Sequence, residues 1–246
     1  MAVVVPLKSL DDTYDDEVFE ETSPVMKTPT PAPLHVPTPP PSTRSKLYNV
    51  IQSLFLNGIQ MILAGIYIGI GGMLYITARR YVHSHELGSL LFSLGLLLVC
   101  FLQGQLYTGA IGRVIREKPH RCVSIMKLLP MLVFNVGGAC AIGFFMSGFV
   151  GSHFEEQYKY INEDYYETSL KSVFCGSCVW HAVEHFAYRR PLSWAKIPFF
   201  VTLFVYAGFE HCIANSFYWS FYDVWSWKAA INVGVCVVGN SIGSLF

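Results

Sequence analysis

The sequence has little charge for its length. Only 14% of its 246 residues are Asp, Glu, Lys or Arg, whereas soluble domains usually carry about a quarter. Seven of the 17 acidic residues fall between Asp11 and Glu21, and long stretches elsewhere carry no charge. This scarcity argues against a soluble globular domain and favours a protein whose uncharged segments cross a membrane as helices.

We expect neither a signal peptide nor a disulfide framework in this sequence. Its first apolar patch, Ala2 to Pro6, is too short for a signal peptide and is followed by acidic residues. The seven cysteines are odd in number, and most fall inside apolar segments. We therefore expect them to behave as small apolar side chains.

Residues 1–46 differ in composition from the rest. Their first half is acidic, and their second half is rich in Pro and Thr, with eight prolines between Pro24 and Pro41. Such a segment has little apolar surface to bury, so we predict a disordered or polyproline-II tail. It is either a phosphorylatable, partner-binding segment or an inert extension. We assign the remainder, 47–246, to a six-helix channel domain.

Six segments are apolar enough to cross a bilayer as helices. They comprise residues 51–78, 87–112, 128–151, 172–187, 197–222 and 229–246. The connection between the second and third spans carries Arg113, Arg116, Lys118 and Arg121, and the next connection is acidic. Because cytoplasmic loops are enriched in Lys and Arg, we predict that both termini are cytoplasmic, in a plasma-membrane protein.

Two of the spans are interrupted by polar residues, over 104–109 and 208–216. Breaks at membrane depth are tolerated only where they are buried or line a cavity, so we expect the two to face each other across a path. The third and sixth spans share an Asn-Val-Gly echo at Asn135 and Asn232. The pattern predicts an inverted 3+3 repeat of spans, with broken helices 2 and 5.

The fifth span carries the ionisable pair Glu210 and His211 near its middle. An ionisable residue inside a membrane is a functional candidate. We interpret His211 as a pathway residue rather than a structural histidine. Glu210 is interpreted as structural support, for example by capping a half-helix.

The interrupted spans resemble the formate/nitrite transporter family, over roughly residues 47–246. The motifs that carry the resemblance are Leu106-Tyr-Thr-Gly109, Asn135-Val-Gly-Gly138, Gly208-Phe-Glu-His-Cys-Ile-Ala-Asn215 and Gly239-Asn-Ser-Ile-Gly243. The resemblance implies a homopentamer of aquaporin-like protomers, each with its own pore. The substrates implied are small monovalent anions such as formate, nitrite, hydrosulfide, acetate or lactate, often moved with a proton. It implies no enzyme activity, no cofactor and no nucleic-acid partner.

The same resemblance implies the residues of the pathway. The central site would contain His211, Thr108, Leu106 and Tyr107, where the family often has Phe in place of Tyr. The apolar constrictions would fall on Phe92, Leu96, Tyr107, Phe204 and Val183. Glu210 and Asn215 would support the central site.

The sequence departs from the family pattern at two positions. Trp180 stands where the family often has Asn, and Asp164 stands near a family Lys that is thought to attract anions. Either Lys171 or Lys159 takes over that role, or anion attraction is weaker here.

The implied chemistry is physically reasonable. A bare anion loses hydration at a large cost when it crosses an apolar constriction, whereas the neutral acid loses far less. Thr108 and His211 would hold the anion, and a proton from the His, or from water through it, would let it pass as the neutral acid.

The fourth span offers an alternative function. It contains a Cys-x-x-Cys pair and a His-x-x-Glu-His pattern, whose residues are Cys175, Cys178, His181 and His185. Helical spacing places several of these side chains roughly on one face, which allows a metal site. The alternative is therefore an intramembrane metal transporter or metalloprotease.

Overall fold

The structure is a computed structural model and describes residues 43–116, 121–150, 164–187 and 191–246. The predicted tail, residues 1–46, falls outside these ranges except for its last four residues, which belong to the first helix. The prediction that the tail is disordered therefore lies outside the described residues.

Within the described residues the chain forms eight α-helices and no strand, which confirms the all-helical class. The helices are α1 (Thr43–Tyr81), α2 (His85–Phe101), α3 (Tyr107–Arg116), α4 (Arg121–Val150), α5 (Tyr165–Ala187), α6 (Lys196–Tyr206), α7 (Cys212–Phe221) and α8 (Trp227–Gly243). A short 3-10 turn, Ser193–Ala195, leads into α6. The fourth span begins earlier than predicted, at Tyr165 rather than at residue 172.

Two of the described helices are long and apolar enough to cross a membrane by length and composition, over Leu56–Tyr81 in α1 and Ile125–Phe149 in α4. The other predicted spans are shorter, divided or carry charges. α2 and the segment from the 3-10 turn through α6 are apolar but short, and α5 carries Glu167 and Lys171 in its first turns.

The second and fifth predicted spans are each divided into two helices. Residues 102–106 separate α2 from α3, and residues 207–211 separate α6 from α7. Each break contains one residue with a positive φ, Gln103 at 57° and Gly208 at 69°. Glycine adopts this conformation at no steric cost, whereas the glutamine side chain makes it less favourable. The two residues are 105 positions apart.

A buried asparagine on α4 anchors the first break. The side-chain oxygen of Asn135 accepts a hydrogen bond from the Tyr107 N–H at 2.8 Å, and its amide group donates to the Gln105 carbonyl at 2.9 Å. The amide also donates to the Met61 carbonyl of α1 at 2.6 Å. One side chain therefore satisfies two backbone groups of the break, the Tyr107 N–H and the Gln105 carbonyl, and links them to α1.

Asn240 of α8 does the same for the second break. Its oxygen accepts from the Cys212 N–H at 3.0 Å, and its amide donates to the carbonyls of Glu210 and Ser172, each at 2.8 Å. Asn240 lies 105 positions after Asn135, the same offset that separates Gln103 from Gly208.

The Asn-Val-Gly echo in the sequence paired Asn135 with Asn232, which is not the residue that anchors the second break. Asn232 lies two helical turns earlier on α8, where its amide donates to the Thr168 hydroxyl at 3.4 Å. A shared tripeptide therefore does not identify which residues of the two segments correspond. What each break requires is a side-chain amide on the neighbouring helix, beside the break.

Small residues allow α1 to lie close to its neighbours. α1 packs against α2 and α4. A Cβ on Gly71 would meet the Phe92 carbonyl of α2, and one on Gly65 would meet the Asn135 carbonyl of α4. The close approach brings the Met61 carbonyl within reach of Asn135 and so helps to fix the first break.

Candidate functional site

The two breaks bring Thr108 and His211 into contact inside the protein. Thr108 lies in the first turn of α3, and His211 is the N-cap of α7. Thr108 Oγ1 and His211 Nε2 are 3.1 Å apart, and both residues are buried. The sequence predicted that these two residues lie opposite each other, and the structure brings them together.

The second ring nitrogen of His211 fixes the tautomer of its neutral form. The Ala214 N–H donates to His211 Nδ1 at 3.2 Å, so Nδ1 is an acceptor. In a neutral imidazole the other nitrogen then carries the hydrogen, and Nε2 donates to Thr108 Oγ1. His211 also lies at the N-terminus of α7, where the helix dipole contributes positive potential. The contact site therefore combines hydrogen-bonding groups with the positive potential of a helix N-terminus.

Aromatic rings cover the Thr108–His211 pair on one side. Phe204 stacks on the His211 ring with a centroid distance of 6.0 Å, and Phe92 meets Phe204 edge to face at 6.1 Å. Both Phe side chains are buried. They form an apolar layer without a hydrogen-bonding group.

A second apolar layer separates the pair from a cavity of about 730 Å³. Leu96, Leu106 and Val183 line this cavity, whereas Thr108 and His211 do not. Val183 lies close to Gly109, one residue from Thr108. Four of the residues predicted as constrictions thus fall into two groups, Phe92 with Phe204 and Leu96 with Val183, and the predicted pathway residue Leu106 joins the second group.

Tyr107 differs from this second group because its hydroxyl has a polar partner. The hydroxyl lies 2.8 Å from Ser241 Oγ on α8, and the side chain is buried. The cavity lining does not include Tyr107. The extra oxygen relative to Phe therefore ties the start of α3 to α8.

Glu210 and Asn215 contact each other next to the second break. The Asn215 amide donates to Glu210 Oε2 at 2.7 Å, and both residues are buried. The Glu210 carbonyl also accepts from Asn240 at 2.8 Å. A buried carboxyl at the break is thus hydrogen-bonded to a helix that follows it, an arrangement suited to holding His211 in place.

The structure gives local reasons for the two departures from the family pattern. Trp180 is buried against Gly112, and the Arg116 guanidinium carbon lies 4.3 Å from its ring centroid. Asp164 caps α5, because its Oδ1 accepts from the N–H groups of Tyr166 at 3.0 Å and Glu167 at 3.1 Å. Lys171 forms an ion pair with Glu167. Lys159 lies outside the described residues.

The metal-binding alternative finds no support in the part of the chain that is described. No three His, Cys, Asp or Glu side chains there are grouped as a metal site would require. Cys175 is fully buried, and the His181 ring stacks on Phe200 at 5.6 Å. The side chain of His185 lies outside the described residues.

Sequence reasoning missed Asn240 as an anchor of the site. The residue stands in the motif Gly239-Asn-Ser-Ile-Gly243, and a signal for it was available. It lies 28 residues after Cys212, the same separation as between Tyr107 and Asn135. The comparison of these separations would have identified it.

Comparisons with known proteins agree on one family. The family model described as "Formate/nitrite transporter" matches residues 42–246. One similar solved structure is a pentameric formate channel with formate bound, which is 22% identical, with a TM-score of 0.67, and covers 78% of this chain and 93% of its own. Another is an ion channel of the FNT family, 17% identical, with a TM-score of 0.67, covering 82% of this chain and 89% of its own. A comparison with curated proteins finds no match.

Proposed function

Since the chain belongs to the formate/nitrite transporter family, we propose that it passes small monovalent anions, coupled to a proton, along a path through Thr108 and His211. The family and its structural neighbours are channels and transporters rather than enzymes, and the chain is an integral membrane protein. The substrates proposed are formate, nitrite, lactate, acetate and hydrosulfide.

The observation that carries the proposal is the polar Thr108–His211 contact enclosed between two apolar layers. An anion between those layers has lost most of its water, so it needs fixed hydrogen-bond donors. The Thr108 hydroxyl supplies one donor, and the Nε2–H of His211 supplies a second when it exchanges Thr108 Oγ1 for the anion. The N-terminus of α7 adds positive potential at the same place.

Proton coupling follows from the same arrangement. The anion accepts the Nε2–H bond and leaves as the neutral acid once it gains a proton, either from water or from His211 in its imidazolium form, whose ring is neutral after Nε2 gives up its proton because Nδ1 keeps the other one. A replacement proton reaches Nδ1 only when that nitrogen releases the Ala214 N–H. Proton transfer through the ring would therefore loosen the first turn of α7 in each cycle.

We further propose that α2 with α3 and α6 with α7 each form one broken span, which makes six spans in an inverted 3+3 repeat with an aquaporin-like protomer. The common offset of 105 between the two breaks supports this arrangement. The basic residues after the second span, and Arg189, Arg190 and Lys196 after the fourth, support cytoplasmic termini in a plasma membrane, with residues 1–46 as a cytoplasmic tail.

Flux into liposomes tests the proposed function. Vesicles containing the protein should take up formate, acetate, lactate or nitrite faster than protein-free vesicles, with a rate that rises when the outside is made acidic. Thr108→Val tests the role of the hydroxyl, since it keeps the side-chain volume and removes the hydroxyl. It should lower the flux roughly tenfold, the effect of about one lost hydrogen bond. Uptake equal to that of protein-free vesicles for all these anions would contradict the proposal.

We propose a homopentamer with one path in each protomer. α4 exposes apolar side chains such as Met126 (78%) and Phe149 (76%), which favours contact with lipid or with another copy. The mass of the protein in mild detergent should therefore correspond to five chains. A monomer or dimer under conditions that preserve flux activity would contradict the assembly without contradicting the path.

A further inference from the structure

We propose that the cavity beside the second apolar layer is an anion-collecting site, in which Arg113 and Lys127 hold a small monovalent anion before it enters the constriction. The inference rests on the proposed function and deepens it, because it assigns the residues that recruit the substrate at one mouth of the path. Neither residue belongs to the motifs that identify the family.

The cavity leads directly to the proposed path. Side chains from α2, α3 and α4 line it, and its apolar end consists of Leu96, Leu106 and Val183. Arg113 follows Thr108 by five positions on α3, which corresponds to about 7.5 Å along the helix axis. An anion held beside Arg113 would thus be roughly one and a half helical turns from the central donors.

The charge in the cavity is of one sign. Arg113 and Lys127 are the charged side chains among its described lining residues, and those residues include no carboxylate. Arg113 is half-buried and Lys127 is exposed. A cleft with apolar walls and cations of one sign concentrates anions, because the walls focus the electric field instead of screening it.

Other described cations near the path are engaged elsewhere. The Arg116 guanidinium lies over Trp180 and donates to the Ser244 and Leu245 carbonyls. Lys171 is paired with Glu167 on α5, next to the position of Asp164. The ion pair weakens the attraction of anions to the N-terminal end of α5. Arg113 and Lys127, in contrast, line a cavity that an anion can occupy.

A thiol already present in the cavity wall allows a direct measurement of the local potential. Cys100 of α2 lines the cavity and is a free cysteine. Its thiolate attacks a methanethiosulfonate reagent, forms a mixed disulfide and releases methanesulfinate. We compare anionic sulfonatoethyl methanethiosulfonate with cationic trimethylammonioethyl methanethiosulfonate, and measure the labelling rate at Cys100 by peptide mass spectrometry on the intact protein. The ratio of the two rates, divided by the same ratio for free cysteine, cancels the intrinsic reactivity of the thiol.

The normalised ratio should favour the anionic reagent by about tenfold. In the double variant Arg113→Gln/Lys127→Gln it should fall close to one. Lys228→Gln is the matched charge control, because Lys228 lies at the opposite end of α8 from the residues that contact Arg116. It should leave the ratio unchanged. About 24 Å of α8 separates Lys228 from Ser244, which exceeds the range of an exposed charge in salt.

A second reporter covers the case of an unreactive Cys100. Ala110 lines the same cavity one turn from Arg113, and Ala110→Cys in a Cys100→Ser chain repeats the measurement. A ratio unaffected by the double variant at either reporter overturns the proposal, and so does the absence of labelling at both positions. Labelling requires no transport. An anion-selective cavity in a protein without flux would therefore refute only the proposed function, whereas flux with an unselective cavity would refute only the collecting site.

Discussion

Asn240→Leu is expected to destabilise the protein by several kcal/mol or to prevent its folding. Leucine has the same number of side-chain heavy atoms with the same branching, but it offers neither donor nor acceptor. The Cys212 N–H and the carbonyls of Glu210 and Ser172 would then be buried without the partner they have now. Each such group costs about 1–3 kcal/mol. The measurement is thermal unfolding in detergent, together with the yield of assembled protein.

Asn232→Leu is the matched control for this prediction, because it makes the same substitution on the same helix. Asn232 is also buried, but its amide donates to the Thr168 hydroxyl at 3.4 Å rather than to a break. We expect it to cost less than half as much as Asn240→Leu, whereas Asn135→Leu should match Asn240→Leu. Equal losses at Asn232 and Asn240 would contradict the assignment of Asn240 as the anchor of the second break.

The breaks could be predicted from the sequence because their residues are unusual for a membrane segment. Glu210 and His211 interrupt an apolar run, and such residues remain only where the fold satisfies them. The proximity of the two breaks, and His211 as a pathway residue, were predicted from these polar residues. Thr108 was named only because the family resemblance implies it.

The register between the halves could not be read from local similarity. Asn135 and Asn232 share neighbours in sequence, but hydrogen-bond geometry selects Asn240. The positions of the basic side chains could not be predicted from the sequence either. Arg113 was counted as a charge in a connection, where it indicated orientation, and the structure places it on α3 in the wall of a cavity. Which way a side chain points at the end of a helix depends on where that helix ends.

The capping role of Asp164 is a similar case. From its position in the sequence, Asp164 corresponds to a lysine of the family. In the structure its carboxylate accepts hydrogen bonds from two backbone N–H groups at the start of α5. An N-cap favours Asp for a local reason, independent of any substrate. A missing cation at one place is therefore compatible with recruitment of anions at another.

His211→Phe should reduce the flux of small monocarboxylates by about a hundredfold while the protein still assembles. Phe keeps a ring of similar size beside Phe204 but removes the Nε2–H donor that contacts Thr108. A dehydrated anion would then lose a donor worth about 3 kcal/mol in this enclosed site. The variant also loses the acceptor for the Ala214 N–H, an N-cap worth about 1 kcal/mol. Flux is measured in liposomes at equal amounts of assembled protein.

His211→Asn separates hydrogen bonding from proton transfer. Asn is a preferred N-cap, so its side-chain oxygen can accept from the Ala214 N–H while its amide still offers a donor. Asn carries no titratable proton, whereas the imidazole ring of His does. If the ring carries the proton, His211→Asn should keep more flux than His211→Phe, and that flux should no longer rise as the outside is acidified. If both variants transport like the parent at every pH, His211 is a structural N-cap and the centre of the path lies elsewhere.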